Sequence, residues 1–208
     1  MRLSRIDDLT RREHYYLGDQ DTCFYLGEYS ARKGGAFGMT SVLVHDLLQP
    51  RDPAVSKQEY RKDRALGSVA QWLHEVFDPG NVGNVTFVPM PQSGSGIVTD
   101  TDDRMFRILR RSAKGLDVRK LIEVTGPAPT GDHANLRSGP NVLYENMRVV
   151  LSLIEPKPRV VFLVDDVLAT GANFVAAKRR ILQVMPDMPV FGLFVARKSL
   201  DSGEILGR

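Results

Sequence analysis

Cysteine is all but missing: Cys23 is the one thiol in 208 residues. An internal disulfide and a cysteine-ligated zinc site are therefore excluded, and the chain suits a reducing compartment. Burial as a small apolar side chain is the role expected of Cys23. Long apolar runs are missing too. The opening MRLSRIDDLTRREHYY is charged throughout, so neither a signal peptide nor a membrane anchor is expected, and the expected location is the cytoplasm. Charge of one sign is not in excess: 28 basic and 25 acidic residues leave +3. The basic residues are interspersed with acids, which permits anionic ligands, and no basic patch interleaved with aromatics predicts direct nucleic-acid binding. No repeat, low-complexity tract or clear linker divides the chain into two large domains.

What is present is an ordinary globular composition, 42% apolar and 25% charged, in a chain long enough for one full core. Residues 160–164, VVFLV, form an uninterrupted β-branched run, as a strand buried on both faces of a parallel sheet requires. Residues 85–88 and 189–196 read the same way, giving a picture of at least four core strands alternating with helices. Helices are predicted over 38–49, ending at Pro50, and over 56–77, opened by the Ser56-Glu59 capping box and carrying Leu66, Val69, Ala70 and Leu73 at helical spacing. A third begins near 101–103 and a fourth spans 174–185. Residues 14–30 suggest two short strands whose aromatics either form a hood over a ligand or cover the sheet. The expected fold is α/β, a mainly parallel sheet flanked by helices. Residues 1–50 are a small hood-like β appendage and 51–208 the core domain.

The chemistry gathers at the end of the 160–164 run. Asp165 and Asp166 stand where open α/β sheets leave a ligand crevice at a topological switch point. The small, polar turn Ala169-Thr170-Gly171-Ala172-Asn173 precedes a helix, whose free N–H groups and dipole attract an anion such as phosphate. Gly171 permits close approach, while Thr170 and Asn173 can add side-chain hydrogen bonds. Two carboxylates beside a bare anion would repel it, so the ligand should also offer hydroxyls or a divalent cation. A ribose 5-phosphate meets that demand. The plain alternative is a solvated Asp-Asp pair followed by a glycine turn.

The order of strand, two acids, two apolar residues and Thr-Gly turn resembles the phosphoribosyl-pyrophosphate loop of type I phosphoribosyltransferases. Val88-Pro89-Met90-Pro91, Arg104-Met105-Phe106 and Glu145-Asn146 upstream of it are similar to motifs of the ComF/GntX-like members of that family, over about residues 85–198. Three positions depart: Met105 and Arg107 stand for the family's Gly and Asn, and Asn173 for its last Thr. The N-terminal zinc element of many relatives is missing.

The resemblance implies transfer of ribose 5-phosphate from phosphoribosyl pyrophosphate to a nitrogen acceptor with release of pyrophosphate. It gives Asp165 and Asp166 the ribose, and residues 169–173 the 5-phosphate. The leaving pyrophosphate goes to Pro91, Gln92, Ser93, Gly94 and Arg104. Arg107, Arg110 and Arg111 read as a solvated face. Residues 125–141 would be a closing loop contributing His133 and Arg137, or else a solvated connector. Mg2+ is implied through the substrate near Asp165 and Asp166, with no direct protein ligand. Ala169 stands where purine-salvage relatives hold an acid, which leaves the acceptor open. The alternative is a non-catalytic regulator binding phosphoribosyl pyrophosphate or a nucleotide, linked to DNA uptake or handling; a homodimer is left open, and no membrane partner is expected.

Overall fold

The computed structural model describes residues 2–30, 38–49, 56–77, 82–91, 103–125 and 139–199. A six-stranded sheet runs in the order β1 (Ser4–Arg5), β2 (Cys23–Tyr29), β8 (Val190–Lys198), β7 (Val160–Leu168), β3 (Val85–Pro89) and β4 (Asp117–Val118). Every pairing in it is parallel except β1 with β2. β5 (Ile122–Val124) and β6 (Met147–Val149) form a separate antiparallel pair.

β7 is central because its side chains serve both faces. Val161 and Leu163 enter one core, where α6 (Ala172–Val184) supplies Phe174, Ala177 and Ile181. Phe162 and Val164 enter the other. There α2 (Met39–Leu48), α3 (Ser56–Val76) and α4 (Arg104–Ser112) bring Leu47, Leu66, Leu73, Ile108 and Leu109. Two shorter helices, α1 (Asp8–Arg11) and α5 (Pro140–Glu145), complete the α-helices among the described residues. Each fully buried Leu, Ile or Phe contributes about 1.5–3 kcal/mol. An exposed pair such as Arg111–Asp63 gives at most about 1 kcal/mol, so apolar packing decides the fold.

The expected α/β class and the four helices over 38–49, 56–77, 104–112 and 172–184 are present. Two expectations are corrected. Within 14–30 there is one seven-residue strand, not two, and it belongs to the main sheet: β2 pairs with β8 from Cys23–Gly192 to Tyr29–Lys198. The reason is that Cys23 and Leu26 are both core residues, on opposite faces, so this segment has the two-sided burial of an interior strand and not the one-sided pattern of a hood. Second, β7 does not stop at Val164. Its register with β8 continues through Val167–Ala196 and Leu168–Arg197, which places both acids inside the strand. Cys23 is buried as expected, and burial pushes its thiol up to about 12. Among the described residues no helix is long and apolar enough to cross a membrane.

Candidate functional site

β3 passes through α4 to β4 on its outer side, while β7 passes through α6 to β8 in the opposite direction. The two connections separate between β3 and β7, and α/β sheets leave a crevice at such a point. A cavity of about 230 Å³ lies there, lined by Pro91, Arg104, both acids and residues 167–174.

Alternation along β7 sends Asp165 toward the α6 face and Asp166 toward α4. Asp166 meets Arg104, the first residue of α4: its Oδ2 accepts from Nε at 2.8 Å and lies 2.6 Å from Nη2. Its Oδ1 accepts from the Val167 N–H at 2.7 Å. Both partners are buried, so the pair is a desolvated, charge-assisted contact. Among the described residues no cation is seated on Asp165 in this way. One of its oxygens accepts from the Asp166 N–H at 2.9 Å. Burial first, and the neighbouring charge of Asp166 second, hold its carboxyl well above the usual range.

The turn after β7 has its back fixed. Ala169 O accepts from His14 Nδ1 at 2.5 Å, and Thr170 O accepts from the Tyr16 N–H at 2.9 Å. Thr170 Oγ1 accepts from the Ala172 N–H at 3.4 Å. Gly171 is the N-cap of α6 in the left-handed region, at φ 84°, with no side chain capping the helix. Beyond the Ala172 N–H, which Thr170 engages, the next amides at the start of α6 are available to an anion. Asn173 adds a buried side-chain oxygen that has no hydrogen-bond partner among the described residues.

Of the residues singled out in the sequence, Asp165, Asp166, Ala169, Thr170, Gly171, Ala172, Asn173, Pro91 and Arg104 line this one cavity. Gln92, Ser93, Gly94, His133 and Arg137 lie outside the described residues. Arg104 lines the cavity with its guanidinium seated on Asp166, and it also reaches Leu47 O at 3.5 Å. The contact with Asp166 arises because α4 begins opposite the end of β7. Arg107 and Arg111 approach Asp63 at the surface, and Arg110 is exposed, as a solvated face requires. No group of three acidic, His or Cys side chains suited to a metal occurs among the described residues.

His14 is the residue the sequence reading passed over. It is fully buried, and burial holds its imidazole below the ordinary value, so the neutral form donates from Nδ1 to Ala169. Nothing local marks it, since its partner is 155 residues away.

Gly171 gives a direct test of the turn. An added Cβ would lie 2.7 Å from Leu17 Cδ2 and 2.9 Å from its Cγ, on a backbone that costs a non-glycine residue about 1–2 kcal/mol. Gly171→Ala is expected to lower stability by about 1–3 kcal/mol and to weaken anion binding together with it, read by thermal unfolding with and without ribose 5-phosphate. Unchanged unfolding would mean that the turn relaxes freely.

Searches against protein-family models and against curated proteins found no match to this chain.

Proposed function

We propose that the chain binds phosphoribosyl pyrophosphate and transfers its ribose 5-phosphate to a nitrogen acceptor, releasing pyrophosphate. One observation carries this reading: a carboxylate pair and an anion-accepting helix start face the same cavity at the switch point of the sheet. In this reading the amides of the 170–173 turn take the 5-phosphate, and Asp165 takes the ribose hydroxyls. Reaction breaks the C1–O bond to pyrophosphate and forms a C1–N bond, while the acceptor's proton passes to solvent. The ribosyl group gains positive charge on the way, and the buried carboxylates stabilise it. No protein nucleophile is needed; positioning supplies most of the rate.

The donor set fits Mg2+ in a limited way. Asp165 has one oxygen with no partner among the described residues, while both oxygens of Asp166 are engaged. Such a site suits a hard cation that takes most of its oxygens from substrate and water. Bound there, it would supply charge neutralisation to the pyrophosphate.

The second reading, a binding protein without catalysis, is favoured by one contact. Arg104 occupies Asp166, the acid that would otherwise share the ribose. Calorimetric titration with phosphoribosyl pyrophosphate, with and without Mg2+, followed by a pyrophosphate-release assay against a panel of nitrogen acceptors, separates the two. Mg2+-dependent binding with release is the expected result, and the double variant Asp165→Asn/Asp166→Asn is expected to lose that binding while staying folded. Binding without release for any acceptor supports the regulator; equal affinity in the double variant would sink the site.

A further inference from the structure

The N-terminal segment 14–17 touches the site only from behind, and the geometry of the peptide bond gives that contact a consequence. In a trans peptide the C=O of one residue and the N–H of the next point in opposite directions. His14 pins the Ala169 carbonyl and the Tyr16 N–H pins that of Thr170, both from the same side. The N–H groups of Thr170 and Gly171 are therefore turned the other way. Neither has a hydrogen-bond partner among the described residues, and both residues line the cavity. Consecutive amides presented on one side of such a turn form an anion-binding concavity.

The segment that holds them is itself anchored. Glu13 accepts from Arg197 Nη1 at 2.6 Å, and Arg197 Nη2 donates to Glu28 at 2.6 Å, so residue 13 is tied to β8 and β2. Asp21 meets Lys178 of α6 at 2.6 Å, and Arg11 donates to Gly18 O at 2.5 Å. Leu17 fills the space behind Gly171. A buttress fixed at both ends can hold the turn in one conformation before a ligand arrives, which removes an ordering cost from binding.

We propose that His14 is a positioning residue for the anion turn: its Nδ1–H holds the Ala169–Thr170 peptide so that the Thr170 N–H, with that of Gly171 beside it, faces the ligand phosphate. This rests on the reading that the turn takes the 5-phosphate.

The test uses ribose 5-phosphate as the probe, with affinity measured by calorimetry and the Thr170 and Gly171 amide shifts by NMR. Wild-type protein is expected to bind with both amides shifting. His14→Phe, which keeps the ring and removes the donor, is expected to weaken binding roughly ten- to hundredfold. His14→Asn, whose amide nitrogen falls near the place of Nδ1, should stay within about threefold of wild type. A role confined to stability would lower the unfolding temperature of His14→Phe and leave the affinity and the amide shifts of the folded protein at their wild-type values. If His14→Phe does not fold, His14→Gln replaces it, because its amide reaches the place of Nε2 instead.

Wild-type binding that is unchanged in a donor-less variant, or that leaves both amides unmoved, overturns the role of His14 while the anion site stands. A folded His14→Asn protein as weak as His14→Phe overturns it equally. No binding by wild type overturns both the buttress and the phosphate reading beneath it.

Discussion

Arg104→Met is expected to destabilise the protein by about 3–5 kcal/mol, the usual cost of removing one partner from a buried ion pair. The cause is what the change leaves behind. Asp166 is 7% exposed, and it would keep one backbone N–H, from Val167, as its hydrogen-bond donor among the described residues. Methionine roughly conserves the aliphatic volume of the arginine stem, so little packing is lost and the charge carries the effect. A second substitution tests that attribution. Arg104→Met/Asp166→Asn removes the charge as well, and should recover most of the lost stability, because a neutral pair in a buried site can match the ion pair it replaces. Urea unfolding of the wild type, the two single variants and the double variant gives the coupling energy directly. A coupling below about 0.5 kcal/mol would mean that water replaces the guanidinium and that the pair is not desolvated. The pair also bears on function. To share a ribose, Asp166 must loosen from Arg104, so a ligand that binds through both acids spends part of its binding energy there.

The strands begun at 85–88 and 160–164, the four longer helices and the acids were legible in the sequence because their signals are local. The run at 160–164 has no polar interruption, Ser56 to Glu59 is a compact helix start, and Asp165 to Gly171 lies within seven consecutive residues. The contacts that were not legible are long-range. Arg104 and Asp166 are 62 residues apart, His14 and Ala169 are 155 apart, and Arg197 and Glu13 are 184 apart. No periodicity or spacing encodes such pairs; the order of strands in the sheet brings them together. The aromatics of 14–30 misled for a related reason. Tyr15, Tyr16, Tyr25 and Tyr29 look like one patterned hairpin, yet Tyr15 and Tyr16 lie in the turns that back residues 169–171 and, of this segment, only Cys23–Tyr29 enters the sheet. Strand preference reports a fit to a half-buried surface, and it does not say which surface.

Asp165→Asn is expected to do the opposite of Arg104→Met and stabilise the ligand-free protein at neutral pH, by about 0.5–2 kcal/mol. Among the described residues no cation is seated on Asp165, and burial together with Asp166 holds its carboxyl well above the ordinary 3.8. The sign follows from linkage. Below the ordinary value both folded and unfolded chains carry the proton. As pH rises past it, the unfolded chain releases its proton first, so the folded state holds more protons and loses stability with every further rise, up to the raised folded value. Above that value the full cost of a buried carboxylate remains. Asparagine keeps the oxygen that accepts from the Asp166 N–H and never ionises. The stability gain should therefore be near zero at about pH 4 and reach its plateau above the folded value.

His14 titrates with the opposite sense. Its imidazole is held low by burial, so its cost enters as pH falls below about 6.5. The wild-type profile mixes His14 with the acids, whereas the difference between variant and wild type cancels His14 and reads the Asp165–Asp166 pair. Thermal unfolding across pH 4 to 8 reads that difference, and a difference that does not change with pH would remove Asp165 as a strained, titrating group. The same substitution should abolish Mg2+-dependent binding of phosphoribosyl pyrophosphate. A residue whose replacement makes the fold more stable and the site inert is held in place by what it binds, not by what surrounds it, and that is the behaviour a carboxylate reserved for a ligand should have.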